Sequence, residues 1–494
     1  MDSYNWSDFA ALSPVIVLLA GACVLLLSEV FLTSRDRRYQ APLSAAFAAV
    51  AGLLAYSGVS EAGRDIFGGF ARADGFGAFA AIAICFTVGM TSLFAASSLK
   101  ELAAERGEFY ALAHLAGAGM ILLAVTTDLL TLFVALEVMS LAIYALTSYL
   151  RSTPRPAEAA LKYFVLGSFS SAVLLYGASL AYGAAGSTRY SDIAIAATGP
   201  SGASVLLVVS LALIASGFLF KVAAVPFHTW APDVYDGAPT TVTGFMAAGV
   251  KVAAFSALLR TFYVAFGSPA LATGAHGWVS VITVVAYLTM IGGNLLAVAQ
   301  RSVKRMLAYS SIAHAGYLLV GLVAGAHAAV RSDATRATLF YLAGYTATAL
   351  GAFAICAALE RRDGPVSDDD ARYDGLSQRH PALALAMAIF MLSLSGIPPT
   401  IGFWGKLYVF QAAMQADLVW LTVVGVLTSL MGLYYYLRVV VVMYMRPSVE
   451  GERVPPRTAA MGLGLAIAAG VTLFFGLGPN LLGTIAEQAA KTLQ

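Results

Sequence analysis

What most limits the fold of this chain is a recurring run of apolar residues, each long enough to cross a bilayer. A helix needs about 20 such residues to span a hydrocarbon core. Fourteen runs can be read, at approximately 13–32, 42–60, 75–98, 110–127, 128–150, 158–184, 204–228, 240–264, 276–299, 303–325, 335–359, 382–412, 418–443 and 458–482. Lipid offers no hydrogen-bond partners, so a spanning backbone must satisfy itself, and uninterrupted runs of this length do so as helices. The expectation is an all-α polytopic membrane protein with about 14 transmembrane helices. Connections are short. The longest polar one, near 360–381, reads RRDGPVSDDDARYDGLSQRH. Residues 1–494 therefore read as a single membrane domain. Its expected divisions are three helices over 1–109, a first repeat over 110–266, a second over 276–443, and a C-terminal helix over 444–494.

Composition supports this where it matters. Only 11% of residues are charged, against about 25% in soluble domains. Mean hydropathy is +0.79. The net charge of +2 gives no field for nucleic acid. Cys23, Cys85 and Cys356 lie in separate apolar runs, which fits buried small residues and neither a disulfide framework nor a metal or cluster spacing.

The segment before the first run has no Lys or Arg and includes Asp2 and Asp8, so a cleaved signal peptide is not expected there. With the N-terminus outside, the inner loops carry 18 of the 29 Lys and Arg residues and the outer segments seven. The positive-inside rule then puts both termini outside the cytoplasm.

The remaining four basic residues are all lysines within apolar runs: Lys162, Lys221, Lys251 and Lys406. The chain has 7 Lys and 22 Arg, and every Arg falls in a loop or near a run's end. Glu137 joins the four lysines, near the middle of LLTLFVALEVMSLAIYALTSYL. A charge at membrane depth is costly and marks a functional path. Arg stays protonated, whereas a buried Lys can exchange its proton near neutral pH. Arg at the rims with Lys inside fits reversible protonation. Each residue has a structural alternative. Lys162 is shallow enough to snorkel, and Glu137 could simply pair with one lysine. Glu29 and Asp128 sit at span ends, as an interfacial charge and a helix N-cap.

Two runs are interrupted by proline. SGFLFKVAAVPFHTWAPDVYDGAPT places Pro226 five residues after Lys221, and MLSLSGIPPTIGFWGKLYVF places Pro398 and Pro399 before Lys406, the nearer by seven residues. Proline removes a backbone donor, and the freed carbonyls are tolerated in lipid only where protein or water meets them. Interrupted spans at corresponding places of two halves point to a transport site. The broken runs are seventh and twelfth, each fourth in a set of five. This suggests two inverted five-helix repeats, spans 4–8 and 9–13. An ordinary proline kink is the alternative.

Among the histidines, His314 lies mid-span beside Ser310, Ser311 and Tyr317, good company for a proton relay. His228 follows the first break. His114, His276, His327 and His380 fit hydrogen-bonded structural roles better. No phosphate loop, haem, flavin or cluster site is readable; GLGLAIAAG at 462–470 has the wrong spacing and lies in a span. Any driving energy must come from a partner or an ion gradient.

The runs FKVAAVPFHTWAPDVYDGAPTTVTGF, KRMLAYSSIAHAGYLLVG and LSLSGIPPTIGFWGKLYVF resemble the antiporter-like membrane subunits of NADH-quinone oxidoreductase (respiratory complex I), themselves related to multisubunit cation/proton antiporters. The resemblance covers nearly the whole chain. LKYFVLGSFSSAVLLYGASLAYG is similar to the subunit N branch; Lys406 and the absence of a long lateral helix after span 14 argue against the M and L branches. The resemblance implies a fourteen-helix fold with one proton path, driven by quinone reduction elsewhere in the complex. It implies that Glu137 pairs with Lys221, that Lys162 tunes Lys221, that Lys251 and His314 carry the proton along the midplane, and that Lys406 delivers it to the outlet. Breaks at Pro226, Pro398 and Pro399, with His228 nearby, frame that path. It implies no cofactor in this chain, with FMN, iron–sulfur clusters and quinone in partner subunits. The implied partners are the other membrane subunits and a peripheral redox arm, in a bacterial inner membrane with both termini periplasmic. A stand-alone sodium/proton antiporter subunit, a passive scaffold and a solute symporter are the competing readings.

Overall fold

A computed structural model describes residues 6–32, 36–59, 62–102, 104–150, 153–198, 204–274, 277–360, 370–448 and 458–493. His276, Asp2 and residues 361–369 of the polar stretch lie outside the described residues, so expectations placed on them are not addressed by it. The chain is helical, as expected: α1 Ser13–Phe31, α2 Gln40–Tyr56, α3 Gly75–Glu101, α4 Gly107–Val125, α5 Leu129–Thr147 and α6 Pro154–Ala185. The first broken run supplies α7 Val205–Lys221 and α8 Trp230–Gly237, and α9 Thr240–Ala265 follows. Then come α10 Trp278–Val298, α11 Val303–Ala324, α12 Arg331–Ala358, the split pair α13 Pro381–Ser395 and α14 Ile401–Gln415, and α15 Val419–Met445. The C-terminal segment holds two helices where one was expected, α16 Ala459–Leu477 and α17 Asn480–Ala490. Among the described residues, 12 helices are long and apolar enough to cross a membrane. The shorter apolar helices α7 and α13 are the first halves of the interrupted runs.

Local chemistry explains the boundaries. Asp128 N-caps α5 as expected, accepting from the Leu130 and Thr131 N–H groups at 2.9 Å each. Asp74 does the same for α3, accepting from Gly77 N–H at 2.7 Å. Glu29, at the end of α1, pairs with Arg37 at 2.8 Å and accepts from Gly107 N–H at 2.8 Å, tying α1 to the start of α4. One feature had no signal in the periodicity: an antiparallel hairpin of β1 Arg64–Ile66 and β2 Ala71–Ala73. Gly68 (φ 69°) and Gly69 (φ 91°) take the left-handed conformations its turn needs.

The most enclosed helices are α9, α11 and α12, which form the centre of the bundle. Helices α10 and α11 approach closely because each presents a glycine to the other's backbone. A Cβ at Gly293 would lie 2.6 Å from Ala313 N, and one at Gly316 would lie 2.8 Å from Met290 N. Small residues at such crossings are how helices pack tightly without a hydrophobic driving force.

Both breaks are satisfied internally. In the first, Lys221 ends α7 and Ala223 turns into the left-handed region (φ 58°). The Ala223 and Ala224 N–H groups donate to Phe220 and Leu219 carbonyls at 3.0 and 2.9 Å. Val225 N–H donates to Thr289 Oγ1 (3.0 Å), and the Trp230 indole donates to Phe220 O (3.1 Å). In the second, Gly396 turns left-handed (φ 86°) and Ile397 N–H donates to Leu392 O at 3.0 Å. Gly402 N–H donates to Ser393 Oγ (3.2 Å), and the Trp404 indole reaches Gly476 O (2.8 Å). These are the internal partners that non-helical backbone at membrane depth requires.

Candidate functional site

Three of the four interior lysines are buried, and they share a coordination pattern. Each donates to neutral oxygen and lies over an aromatic face. Lys221 Nζ donates to Ser140 Oγ at 2.9 Å and sits 5.6 Å from the Tyr163 ring centre. Lys251 Nζ donates to Ser311 O and lies 5.4 Å from the Tyr345 ring. Lys406 Nζ donates to Leu394 O and Ser395 O, both at 2.9 Å, and to Ser429 Oγ at 2.8 Å, with the Tyr317 ring at 5.3 Å. The two carbonyls are those the second break frees at the end of α13. A cation there meets both the unpaired oxygens and the negative end of the helix dipole. Neutral partners and π faces stabilise an ammonium without a fixed counter-charge. When the proton leaves Lys251 or Lys406, no carboxylate is stranded.

Lys162 is different. It is exposed at its tip, pairs with Glu158 (2.8 Å), and shares Asp233 (3.5 Å) with Arg305 (3.0 Å). It thus joins a charged cluster at the mouth beside α8 and does not touch the buried lysines; its link to Lys221 runs through the adjacent Tyr163. Glu137 is half-buried, its Oε1 has no hydrogen-bond partner, and its carboxylate is the charge that acts on Lys221. The two form no direct ion pair among the described residues, because Lys221 turns to Ser140, three residues along α5 from Glu137.

His314 joins the second half. Its Nδ1 is 2.6 Å from Tyr341 OH, and its Nε2 is 3.0 Å from Tyr436 OH. Ser310 also bonds Tyr436. Lys251 binds the carbonyl of Ser311, one turn before His314. A cavity of about 10 Å³ lies between His314 and the second break, lined by Tyr341, Tyr345, Ser393 and Gly402. That is about the space of one water. His228 sits half-buried after the first break, its Nδ1 unpaired.

Three expectations need correction. His114 is fully buried with neither ring nitrogen hydrogen-bonded, packed edge-on to Phe47 at 6.4 Å, so it is not a satisfied structural residue. Cys23 is exposed on the apolar outer side of α1, whereas Cys85 and Cys356 are buried as expected. Arg260, five residues before the end of α9, is wholly enclosed. It forms a bidentate pair with Asp74 at 2.7 and 2.8 Å and donates to Ala124 O. Sequence reasoning picked out Tyr317 beside His314 but missed the tyrosines at 341, 345, 435 and 436, and Asn294. In a single sequence an aromatic in an apolar run carries no sign of a polar partner. Among the described residues no group of three or more His, Cys, Asp or Glu could hold a metal ion.

The sequence matches the family described as NADH:quinone oxidoreductase/Mrp antiporter, TM, over residues 126–432. It is 48% identical to NADH-quinone oxidoreductase subunit N of Myxococcus xanthus (strain DK1622), with 99% of each chain covered. Its fold is similar to a chain of respiratory complex I from Thermus thermophilus, solved with bound aureothin (TM-score 0.78, 33% identity, 95% of this chain and 98% of that one). A chain of the Mrp complex from Dietzia sp. DQ12-45-1b has the same fold at 22% identity (TM-score 0.82, 99% and 98% covered). On these matches the chain belongs to the NADH:quinone oxidoreductase/Mrp antiporter transmembrane family, within its NADH-quinone oxidoreductase subunit N branch.

Proposed function

We propose that the chain is a proton-translocating membrane subunit of a NADH-quinone oxidoreductase. It carries one proton path, while partner subunits carry flavin, iron–sulfur clusters and quinone. The observation that carries this is the set of buried lysines, 221, 251 and 406, each held by neutral oxygens and a ring face. Such a lysine can load and unload a proton; a carboxylate-locked one resists unloading.

In this reading Lys221 alternates between Ser140 and Glu137. Near Glu137 it keeps its proton. Turned to Ser140, as here, it loses its closest counter-charge and releases the proton toward Lys251. Lys251 hands it past Ser311 to His314, whose two tyrosine partners hold the ring in place. Lys406 receives it and delivers it to the outlet. The unpaired oxygens of Glu137, Tyr144 and Ser311 are where water can join the chain. Lys162, with Glu158 and Asp233, sets the electrostatics of the inlet. The protein crosses a bacterial inner membrane fourteen times as two inverted repeats, spans 4–8 and 9–13, with both termini on the periplasmic side.

The test is NADH-driven proton pumping by the whole complex in liposomes. Lys251→Ala should assemble and reduce pumping about tenfold, the cost of one missing relay at ~1.4 kcal/mol in the barrier. Parent-level pumping by that variant sinks the proposal. Sodium-dependent transport by this chain without redox partners would instead favour the antiporter reading.

A further inference from the structure

Between His314 and Lys406 lies a polar chain that no proton can follow end to end. His314 Nε2 meets Tyr436 OH at 3.0 Å, and the Tyr436 ring lies tilted against Tyr435 with ring centres 4.4 Å apart. Tyr435 OH donates to Asn294 Oδ1 at 3.0 Å. Asn294 Nδ2 donates to Tyr317 OH at 3.0 Å, and Tyr317 OH donates to Thr428 Oγ1 at 3.4 Å. Next to Thr428, Ser429 Oγ accepts from Lys406.

The amide's orientation is fixed by chemistry. Asn294 also bonds Met290 O at 2.8 Å, and a carbonyl can only accept, so the atom facing it is the amide nitrogen. Oδ1 therefore faces Tyr435 and can only accept from it. The second amide hydrogen goes to Tyr317, which must accept there. The Tyr317 proton is left to point away from Asn294. Thr428 gives its own proton to Val424 O at 2.8 Å, so it receives the Tyr317 proton. A hydroxyl can accept a proton on one side and release one on the other. A carboxamide cannot, because passing a proton would require the high-energy imidic acid form.

We infer that Asn294 is a positioning residue that divides the polar chain between His314 and Lys406 and aims the Tyr317 hydroxyl toward the Lys406 side. It is buried at 1% exposure. The Gly293 and Gly316 crossing brings α10 and α11 close enough for Asn294 to reach Tyr317. On α15, Gly432 leaves room for its Oδ1; a Cβ there would lie 3.3 Å from that atom. The tyrosine route is thus closed at Asn294, which directs transfer through the small cavity beside His314 and leaves the Tyr317 side chain ordered against Lys406, the group that receives the proton. This rests on the proton-path reading above.

The titratable groups around Asn294 are Tyr317 on α11 and Tyr435 and Tyr436 on α15, with His314 one hydrogen bond beyond Tyr436 and Lys406 over the Tyr317 ring. The test uses the reconstituted complex and compares Asn294→Leu, Tyr317→Phe, their double variant and Asn294→Asp. Each single variant should slow coupled pumping about fivefold, as for loss of one oriented hydrogen bond. If Asn294 acts through Tyr317, the double variant is no slower than the slower single one. Additive slowing, or parent rates, overturns the inference. Asn294→Asp keeps the size and serves as the test should the Leu variant fail to assemble. Its carboxyl can take a proton from Tyr435 on one oxygen and give one to Tyr317 from the other, so the pH profile of pumping should change. A profile that superimposes on the parent's also overturns the inference. Lys406→Ala run in parallel separates the two readings. If it pumps normally, the path itself is wrong. If it fails while the Asn294 variants match the parent, only this inference falls.

Discussion

At the scale of single residues, Lys406 performs two tasks that substitution can separate. It satisfies the carbonyls of Leu394 and Ser395, and on the proposed path it carries a removable proton. Lys406→Met leaves two buried acceptors unpaired, at a cost of about 1–3 kcal/mol each, so less complex should assemble. Lys406→Arg can still donate to both carbonyls but does not give up its proton. It should restore the assembled yield, measured by quantitative blot of the membrane fraction, while pumping stays lost. Arg pumping at the parent rate would contradict a proton-carrying role. The lysines were legible in sequence because charge within an apolar run is conspicuous. Their partners were not. Ser140, Ser311 and Ser429 are ordinary small residues of membrane helices, and the carbonyls that hold Lys251 and Lys406 belong to residues of any type. Arg260 misled in the opposite direction: its position near a helix end suggested a wet rim, but Asp74 folds over it from 186 residues away.

At the scale of elements, the proline-bearing runs marked the breaks correctly, and the rest of each break came from tertiary partners. Ala223 shows the division. Its left-handed conformation (φ 58°) costs a non-glycine residue roughly 1–2 kcal/mol, and nothing in VAAVPF announces it. Ala223→Gly should leave or slightly raise the thermal stability of the complex, and Ala223→Val should lower it, since a β-branched residue fits that region worst. Equal melting of both variants would argue against strain at this joint. The hairpin β1–β2 was invisible because strands of three residues carry too little alternation to read.

At the scale of the whole molecule, the two ends of the bundle differ. One end is stitched by the hairpin: Thr127 N–H donates to Phe70 O, Asp128 and Arg189 form a bridge, and the C-terminal Thr492 accepts from Phe76 N–H. The other end carries the charged cluster of Arg155, Lys162, Asp233, Asp236 and Arg305. On the proposed topology, drawn from the positive-inside count, the stitched end faces the periplasm. In a background lacking Cys23, cysteines at exposed Ser191 and Lys100 should label from opposite sides of intact cells with an impermeant maleimide. Labelling of Ser191→Cys should need no permeabilisation. The reverse pattern would invert the topology without altering the fold.

The neutral settings of Lys221, Lys251 and Lys406 also limit how many protons the chain can hold at once. Three ammonium groups in one low-dielectric interior repel each other, and among the described residues Glu137 is the single carboxylate acting on any of them. Full occupancy is therefore the least favourable arrangement, and an incoming proton at one site encourages departure from the next. On the proposed path, throughput then depends on vacancies moving backward as much as on protons moving forward, and a membrane voltage acts on that occupancy directly.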